Sequence, residues 1–551
     1  MFRKGKTPLK NVITPVFLSS AALLAACSEQ APTPPSAQTP MAEAVQVATT
    51  EPSLGIRPRG DTELEIDMSQ IHSTELAEVF DHIDTNIDQH VVNLQRWIQQ
   101  PSISNTGEGI QESAYMVEGF FDQLGCQETQ VYDVGITEWG QQGNPVVYAH
   151  CDEGAEKTMV VYWMYDTMPV TQPDLWTSPP FEARLVEQAP FSKVMIGRGA
   201  TNSKGRQMAF WNAMMSIKEV SGKLPVNLIF VAEGDEERMS IGYRKFVRDH
   251  PELFADADIM WGYGASEGCV FVELITSGES WGRGPTYSNI HGGRKRAVDA
   301  PAWRHIQMLS TLVDETGNRV MIDGFYDDIE PLTPEEEEIL VKAAEGYDVE
   351  VAAERLGVAR FISDDPLDVV TMSRYGTSMN LDGIWGGNMF EGGSGAILPN
   401  RIVSKHNFRY VPNQDGLDIV DKLRVHLDKH GYEDVEINIV GDVPWAKMSD
   451  DNDLARAGNA MRDAFGVGTS DPNLEPTILG GYWPAYLFAG DVLDIPIASA
   501  QVGGGGGAHA ANEYFVVEGA GNTYGMAGME KSIATVLYNY AGLNESASAS
   551  D

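Results

Sequence analysis

Only four cysteines occur in 551 residues, at positions 27, 126, 151 and 269. So few, so widely spaced, exclude a disulfide-framed miniprotein and a cysteine zinc cluster. Cys126, Cys151 and Cys269 are expected as buried small residues, although an oxidising compartment would let Cys126 and Cys151 bridge neighbouring strands. Positive charge is the second shortage: 39 lysines and arginines stand against 79 aspartates and glutamates, a formal net charge of −40. Such a surface repels phosphate backbones and anionic membrane faces, which excludes nucleic acid as a partner. It suits a neutral or cationic substrate, a salty habitat, or solubility alone. Internal repeats are also missing, which excludes a solenoid.

The N-terminus reads as a targeting segment rather than as fold. Arg3, Lys4, Lys6 and Lys10 precede the apolar run ITPVFLSSAALLAA and then Cys27. That run is too short to stay in a bilayer as a spanning helix. Leu24-Ala25-Ala26-Cys27 resembles a bacterial lipobox, which implies a signal peptide over 1–26 and lipidation of Cys27. The expectation is an exported bacterial lipoprotein, periplasmic or anchored in the outer membrane, that meets the membrane through Cys27 alone. Residues 27–70, rich in Pro, Thr, Ala and Ser, are expected as a disordered tether.

A chain of this length forms two or more folded units. Helical periodicity is predicted at about 75–99 and 110–124, followed by alternating strands and helices: VVYAH, MVVYWMYD, QMAFWNAMMSIKEV and VNLIFVAEG. This order predicts an α/β catalytic domain with a mainly parallel sheet, over 71–267 and again over 443–545. Residues 268–442 mix strands and helices and read as an inserted α+β lid that dimerises. Its acidic stretch TPEEEEILVKAAEGYD predicts a solvated helix, and residues 546–551 a frayed tail.

Four places set polar groups at the ends of apolar strands, where open α/β sheets carry their sites. They are Asp166 after VVYWMY, the loop GRGATNSKG with Asn202, the pair Glu236-Glu237 in EGDEERMS, and His509 in GGGGGAHAANEY. Each alone also fits a capped turn, a solvated helix start or a flexible loop. Trp176, Tyr482 and Trp483 are as readily core as pocket.

Taken in order and spacing, these motifs resemble the co-catalytic zinc peptidases that include carnosinase, aminoacylase and glutamate carboxypeptidase. Met164-Tyr165-Asp166 with Pro169, Trp176 and Pro180-Phe181 stands where that family has His-x-Asp, a Pro turn and Trp-x-x-x-Pro-Phe. The resemblance runs from about 75 to 540, through IHGG, VMIDGFYDDI and FRYVPNQD. It implies a zinc-peptidase fold with a lid, a homodimer, and hydrolysis of a small peptide or an N-acyl amino acid.

The departures bear on metal. In place of the family's first histidine and bridging aspartate stand Met164 and Asn202, and the later aspartate falls near Gly264. The ligands implied for the second ion, Glu237 and His509, are retained. A thioether and a neutral amide suit a hard hydrolytic ion poorly, so a two-zinc site is not expected. One zinc on Glu237, His509 and Asn202 is one expectation, with Glu236 as general base. A metal-free amidohydrolase using Asp166 and Glu236 as a proton-sharing pair is another. A non-catalytic peptide-binding lipoprotein is the third. By the same resemblance His291 polarises the scissile carbonyl, across a dimer, while Arg409 binds the substrate carboxylate and Asn202 contacts substrate.

Overall fold

The computed structural model describes residues 53–448, 452–467, 481–490 and 492–542. The expected signal peptide, Cys27, the first part of the tether and the tail at 546–551 lie outside the described residues. Residues 53–70, which composition placed in the tether, are instead part of the fold. Asp61–Thr62 pairs in parallel with Ala520–Gly521, and Ile56 is buried. The Arg57 guanidinium donates to Glu518 and Asp61. Composition misled here because two short apolar anchors and one arginine suffice to fasten an otherwise polar segment.

The central sheet has five principal strands: β1 (Glu128–Tyr132), β2 (Val146–Cys151), β3 (Thr158–Met164), β4 (Asn227–Glu233) and β5 (Ile259–Trp261). With the edge strand Ile497–Ala498 they run in the order Ile497–Ala498, β5, β3, β4, β2, β1. The three pairings from the edge strand to β4 are parallel, whereas β2 and β1 join antiparallel. β3 and β4 are buried on both faces, which is why they read as continuous apolar runs rather than as alternation.

One face is covered by α1 (Thr74–Gln99), α2 (Ile110–Leu124), α3 (Gly205–Ser221) and the C-terminal helix Met526–Tyr540. Ser73 caps α1 by accepting from the Leu76 N–H. Leu76, Val79, Phe80, Ile83, Ile87, Val91, Leu94 and Trp97 then recur at helical spacing and are all buried. Each contributes roughly 1.5–3 kcal/mol of burial. The helix stops before Pro101, whose ring disfavours helical geometry at Gln100.

The connection from α2 into β1 is tied by a Cys126–Cys151 disulfide. The bridge that the sequence allowed for Cys126 and Cys151 is thus present, and Cys269 is the buried free thiol among the described residues. Adjacent antiparallel strands bring the other two sulfurs together.

The second layer system is a four-stranded antiparallel sheet of β6 (Gly268–Ser277), β7 (Ser378–Trp385), β8 (Arg401–Tyr410) and β9 (Glu436–Val443), in the order β7, β8, β6, β9. Alternate residues Val270, Val272 and Leu274 face helices α4 (Pro301–Leu312) and α5 (Gly416–Lys429). The opposite face carries Phe271, Glu273 and Lys405 toward the central domain, a period-2 split between core and cleft. The acidic stretch forms the helix Pro334–Glu345 with a capping box at Thr333, and it buries Ile339 and Leu340. The rest of the helix is mostly exposed, as a solvated helix requires. No helix among the described residues is long and apolar enough to cross a membrane.

Candidate active site

Asp166 follows β3 and has no exposed surface. Its carboxylate accepts the backbone N–H groups of Glu236 (3.2 Å) and Glu237 (3.0 Å). Burial, and then the Glu237 charge, push its pKa up to about 8. Asp166 thus holds the turn that carries the acid pair and presents no oxygen to solvent. Asp166 is also among the charges that raise the Glu236 pKa, the mutual influence that the proton-sharing expectation supposes. The same turn is pinned from its other side by Asp235, which accepts from the Asn144 N–H (2.7 Å), the Gly242 N–H and the Arg238 guanidinium. Glu236 and Glu237 leave β4 on this double clamp. Their positions are set by backbone contacts rather than by helix propensity.

Asn202 lies in the loop Ala200–Lys204 leading into α3. Glu513 organises that loop: its carboxylate accepts from Gly199 N (3.0 Å), Thr201 N (3.0 Å), Asn202 N (2.9 Å) and Arg198 Nη1 (2.7 Å). Arg198 and Glu513 are both about 1% exposed. Lys204 is buried too and donates to the carbonyls of Trp97 (3.1 Å) and Gln100 (2.8 Å). It thereby satisfies the open end of α1, and burial lowers its pKa to about 7. Arg198 and Glu513 were missed as site residues. The signal was two opposite charges standing in GRGATNSKG and GAHAANEY, both already singled out.

The Asn202 Nδ2 donates to Glu237 Oε1 at 2.9 Å and lies 3.0 Å from His509 Nε2. His509 Nε2 is itself 3.2 Å from Glu237 Oε1. One ring nitrogen does one of these at a time: neutral it accepts from Asn202, protonated it donates to Glu237. The Glu237 hydrogen bond is the largest influence raising the His509 pKa. The Glu236 carboxyl is pushed well above the usual range, first by burial, then by Glu237 and Asp166, with Arg409 opposing. Arg409, from β8, therefore belongs to the same electrostatic cluster. Its charge is already met by Glu267, to which Nη1 donates at 2.8 Å, and its guanidinium lies over the Tyr482 ring at 4.7 Å.

Five expected residues thus meet: Asp166, Asn202, Glu236, Glu237 and His509, with Arg409 beside them. His291 does not. It sits on an exposed ribbon, Ile290–His291 against Ile397–Leu398, where its Nδ1 accepts the Gly293 N–H. The cleft next to Glu237 measures about 600 Å³, and its lining includes Tyr482, Gln141, Phe271, Lys405 and Asn438.

Among the described residues no group of three or more His, Cys, Asp or Glu side chains is gathered to hold a metal ion. Met164 packs in an apolar cluster with Tyr162 and Trp483. Gly264 has no side chain, and its carbonyl accepts the Trp483 indole N–H (3.0 Å). Asn202 turns an N–H, not an oxygen, toward Glu237. Two donors remain where catalytic zinc takes three protein ligands, so the residues as arranged do not fit zinc.

The sequence profile of "Peptidase family M20/M25/M40" matches residues 164–524. A Cys-Gly metallodipeptidase of Candida albicans is 25% identical over 472 residues, covering 80% of this chain and 93% of that protein. The human Beta-Ala-His dipeptidase is 26% identical, covering 71% and 80%. Among solved structures, a dipeptidase from Saccharomyces cerevisiae superposes with a TM-score of 0.73 at 24% identity, covering 86% of this chain and 99% of that one. A metallo-carboxypeptidase from Sulfolobus solfataricus gives 0.65 at 28%, covering 83% and 98%.

Proposed function

The chain belongs to peptidase family M20/M25/M40 and is a peptidase, and from that premise we propose that it cleaves the amide bond of a small peptide or an N-acyl amino acid, with water activated by Glu236. The observation that carries this reading is the clamped pair Glu236-Glu237, held over Asp166, of which Glu237 lines a cleft of about 600 Å³. In the proposed step the ionised Glu236 carboxylate takes a proton from water as the oxygen adds to the carbonyl carbon. It returns that proton to the nitrogen as the C–N bond breaks. Glu237 and His509 alone do not make a zinc site, and no step above depends on a metal.

His291 enters this chemistry only if a second copy brings it to the cleft, so the proposal includes a homodimer. The exposed Tyr287, Phe390 and Ile397 near that ribbon support such a contact. Arg409 keeps a substrate-positioning role, in competition with Glu267.

The test is a panel of dipeptides, including Cys-Gly and β-Ala-His, and N-acyl amino acids. Glu236→Gln is expected to lower kcat by about 10²–10⁴ with the fold intact. Undiminished turnover by this variant would remove Glu236 as the base. Peptide capture without cleavage by the wild type would favour the binding-protein reading.

We further propose export and lipid anchoring through Cys27. The basic and apolar residues before it support this, as does the Cys126–Cys151 disulfide, a bond that persists in oxidising compartments. Fatty-acid labelling abolished by Cys27→Ala is the expected result. Unlabelled wild-type protein would refute it.

A further inference from the structure

We propose that the Asn202 carboxamide stands in for a metal ion as the cross-link between Glu237 and His509, and that the native protein carries no tightly bound divalent cation there. This rests on reading the cluster as the active site. One feature of the chain fills the gap between Glu237 and His509, and a second leaves neighbouring strand ends without hard donors.

The first is the amide itself. Its Nδ2 lies 2.9 Å from Glu237 Oε1 and 3.0 Å from His509 Nε2, so one NH₂ group reaches both potential donors. The carbonyl Oδ1 is turned away and accepts from Ser203 Oγ (3.3 Å). The reverse orientation would set Oδ1 against the Glu237 carboxylate, two acceptors face to face, so Glu237 selects the N–H. A cation in that gap would meet the positive end of the amide dipole.

The second feature is an aromatic plug on the neighbouring flank. Trp483 lies 5.1 Å from the Tyr162 ring and 5.8 Å from the Tyr263 ring, and those two tyrosines are 5.8 Å apart. A Cβ on Gly262 would lie 2.3 Å from the Trp483 ring, so indole already fills the volume beside that strand end. The Trp483 N–H bonds the Gly264 carbonyl, and Met164 packs into the same cluster. Apolar rings and a thioether occupy this flank where a hard ion would need oxygen or nitrogen donors.

The experiment measures metal per chain on wild-type protein purified without chelator, loaded with zinc and dialysed. Less than about 0.1 zinc per chain is expected, because two donors do not make a tight site. Asn202→Asp replaces the donor amide by a carboxylate and is expected to retain about one zinc per chain. Zinc should also raise the melting temperature of that variant and leave the wild type unmoved. His509→Ala in the wild-type background should leave the residual metal content unchanged.

Wild-type protein retaining one zinc or more would overturn the proposal, as would a loss of metal in His509→Ala. A folded Asn202→Asp protein that gains no zinc would overturn the part assigned to Asn202. The wild-type measurement stands alone if that variant does not fold. None of these readouts uses turnover, so a protein that proves metal-free but inactive would sink the hydrolytic reading and leave this one in place.

Discussion

Glu513→Gln tests what holds the candidate site together. In the native carboxylate one oxygen accepts from Arg198 and Gly199, and the other from Thr201 and Asn202. Glutamine keeps one oxygen and turns an NH₂ toward two donors. Whichever way the amide faces, two donors lose their acceptor, and Arg198 loses the partner of its charge in a site about 1% exposed. Each stranded neutral donor costs about 1–3 kcal/mol. Breaking a buried ion pair from one side costs roughly 3–5 kcal/mol. These overlap, so the net loss is about 4 kcal/mol rather than their sum. Urea unfolding, compared at equal m-values, reads this directly. Arg198→Met and the double variant complete a cycle whose coupling should exceed about 1.5 kcal/mol, because the arginine's penalty vanishes once it is gone. Since Asn202 N is one of the four donors, zinc-independent disorder of the loop should accompany the loss. A Glu513→Gln protein within about 0.5 kcal/mol of wild type would refute the view that this carboxylate organises the loop.

Two further predictions concern parts remote from the cleft. Arg57, Ser192 and Lys193 hold the Glu518 carboxylate at a pKa of about 2 despite its burial, against an unfolded value near 4.3. Its folded pKa is depressed, so its contribution is complete above the unfolded value and is lost as pH falls from there toward 2. Screening around the half-exposed Arg57 limits it to about 1–2 kcal/mol. Glu518→Gln should lower stability by that amount at pH 7 and flatten the loss between pH 5 and about 2; an unchanged acid limb would count against the pair. Replacing Cys126 and Cys151 by serine opens a loop of 25 residues and should cost about 3 kcal/mol. Equal melting of oxidised and reduced wild-type protein would argue that the bridge does not form.

Much of the architecture was legible in the sequence because its cause is local. The 3.6-residue period from Leu76 to Trp97 is the buried stripe of α1, and the unbroken apolar runs of β3 and β4 are strands covered on both faces. What was not legible depends on partners distant in sequence. Arg57 meets Glu518 across 461 residues, and nothing in the polar stretch 53–70 announces that contact. Cys126 and Cys151 could be named as a possible bridge, but that they meet depends on the antiparallel pairing of β1 and β2, a register that spacing alone does not declare. The motifs named residues that the fold gathers, Asp166, Asn202, Glu236, Glu237 and His509, yet not their state. Asp166 was visible as an acid at a strand end. That both its oxygens are spent on the backbone of Glu236 and Glu237 follows from a turn clamped by Asp235 on the far side.

Arg409 and Glu267 show why the same limit applies to substrate recognition. A motif marks Arg409 as a carboxylate binder by its identity, but the free charge it offers depends on what stands beside it. Here Glu267 takes Nη1, Asn407 takes Nε, and Tyr482 covers one face of the guanidinium. An incoming carboxylate must compete with one already in place, in surroundings where burial has raised the Glu267 pKa. Exchange of one carboxylate for the other preserves the arginine's bonds while displacing a charged neighbour. Binding through Arg409 therefore favours a substrate anion only when Glu267 is protonated or moves aside. Glu267→Gln separates the two cases: it should lower KM for a peptide with a free carboxylate and leave its C-terminal amide unaffected. Equal effects on both would mean that Arg409 serves the lid rather than the substrate.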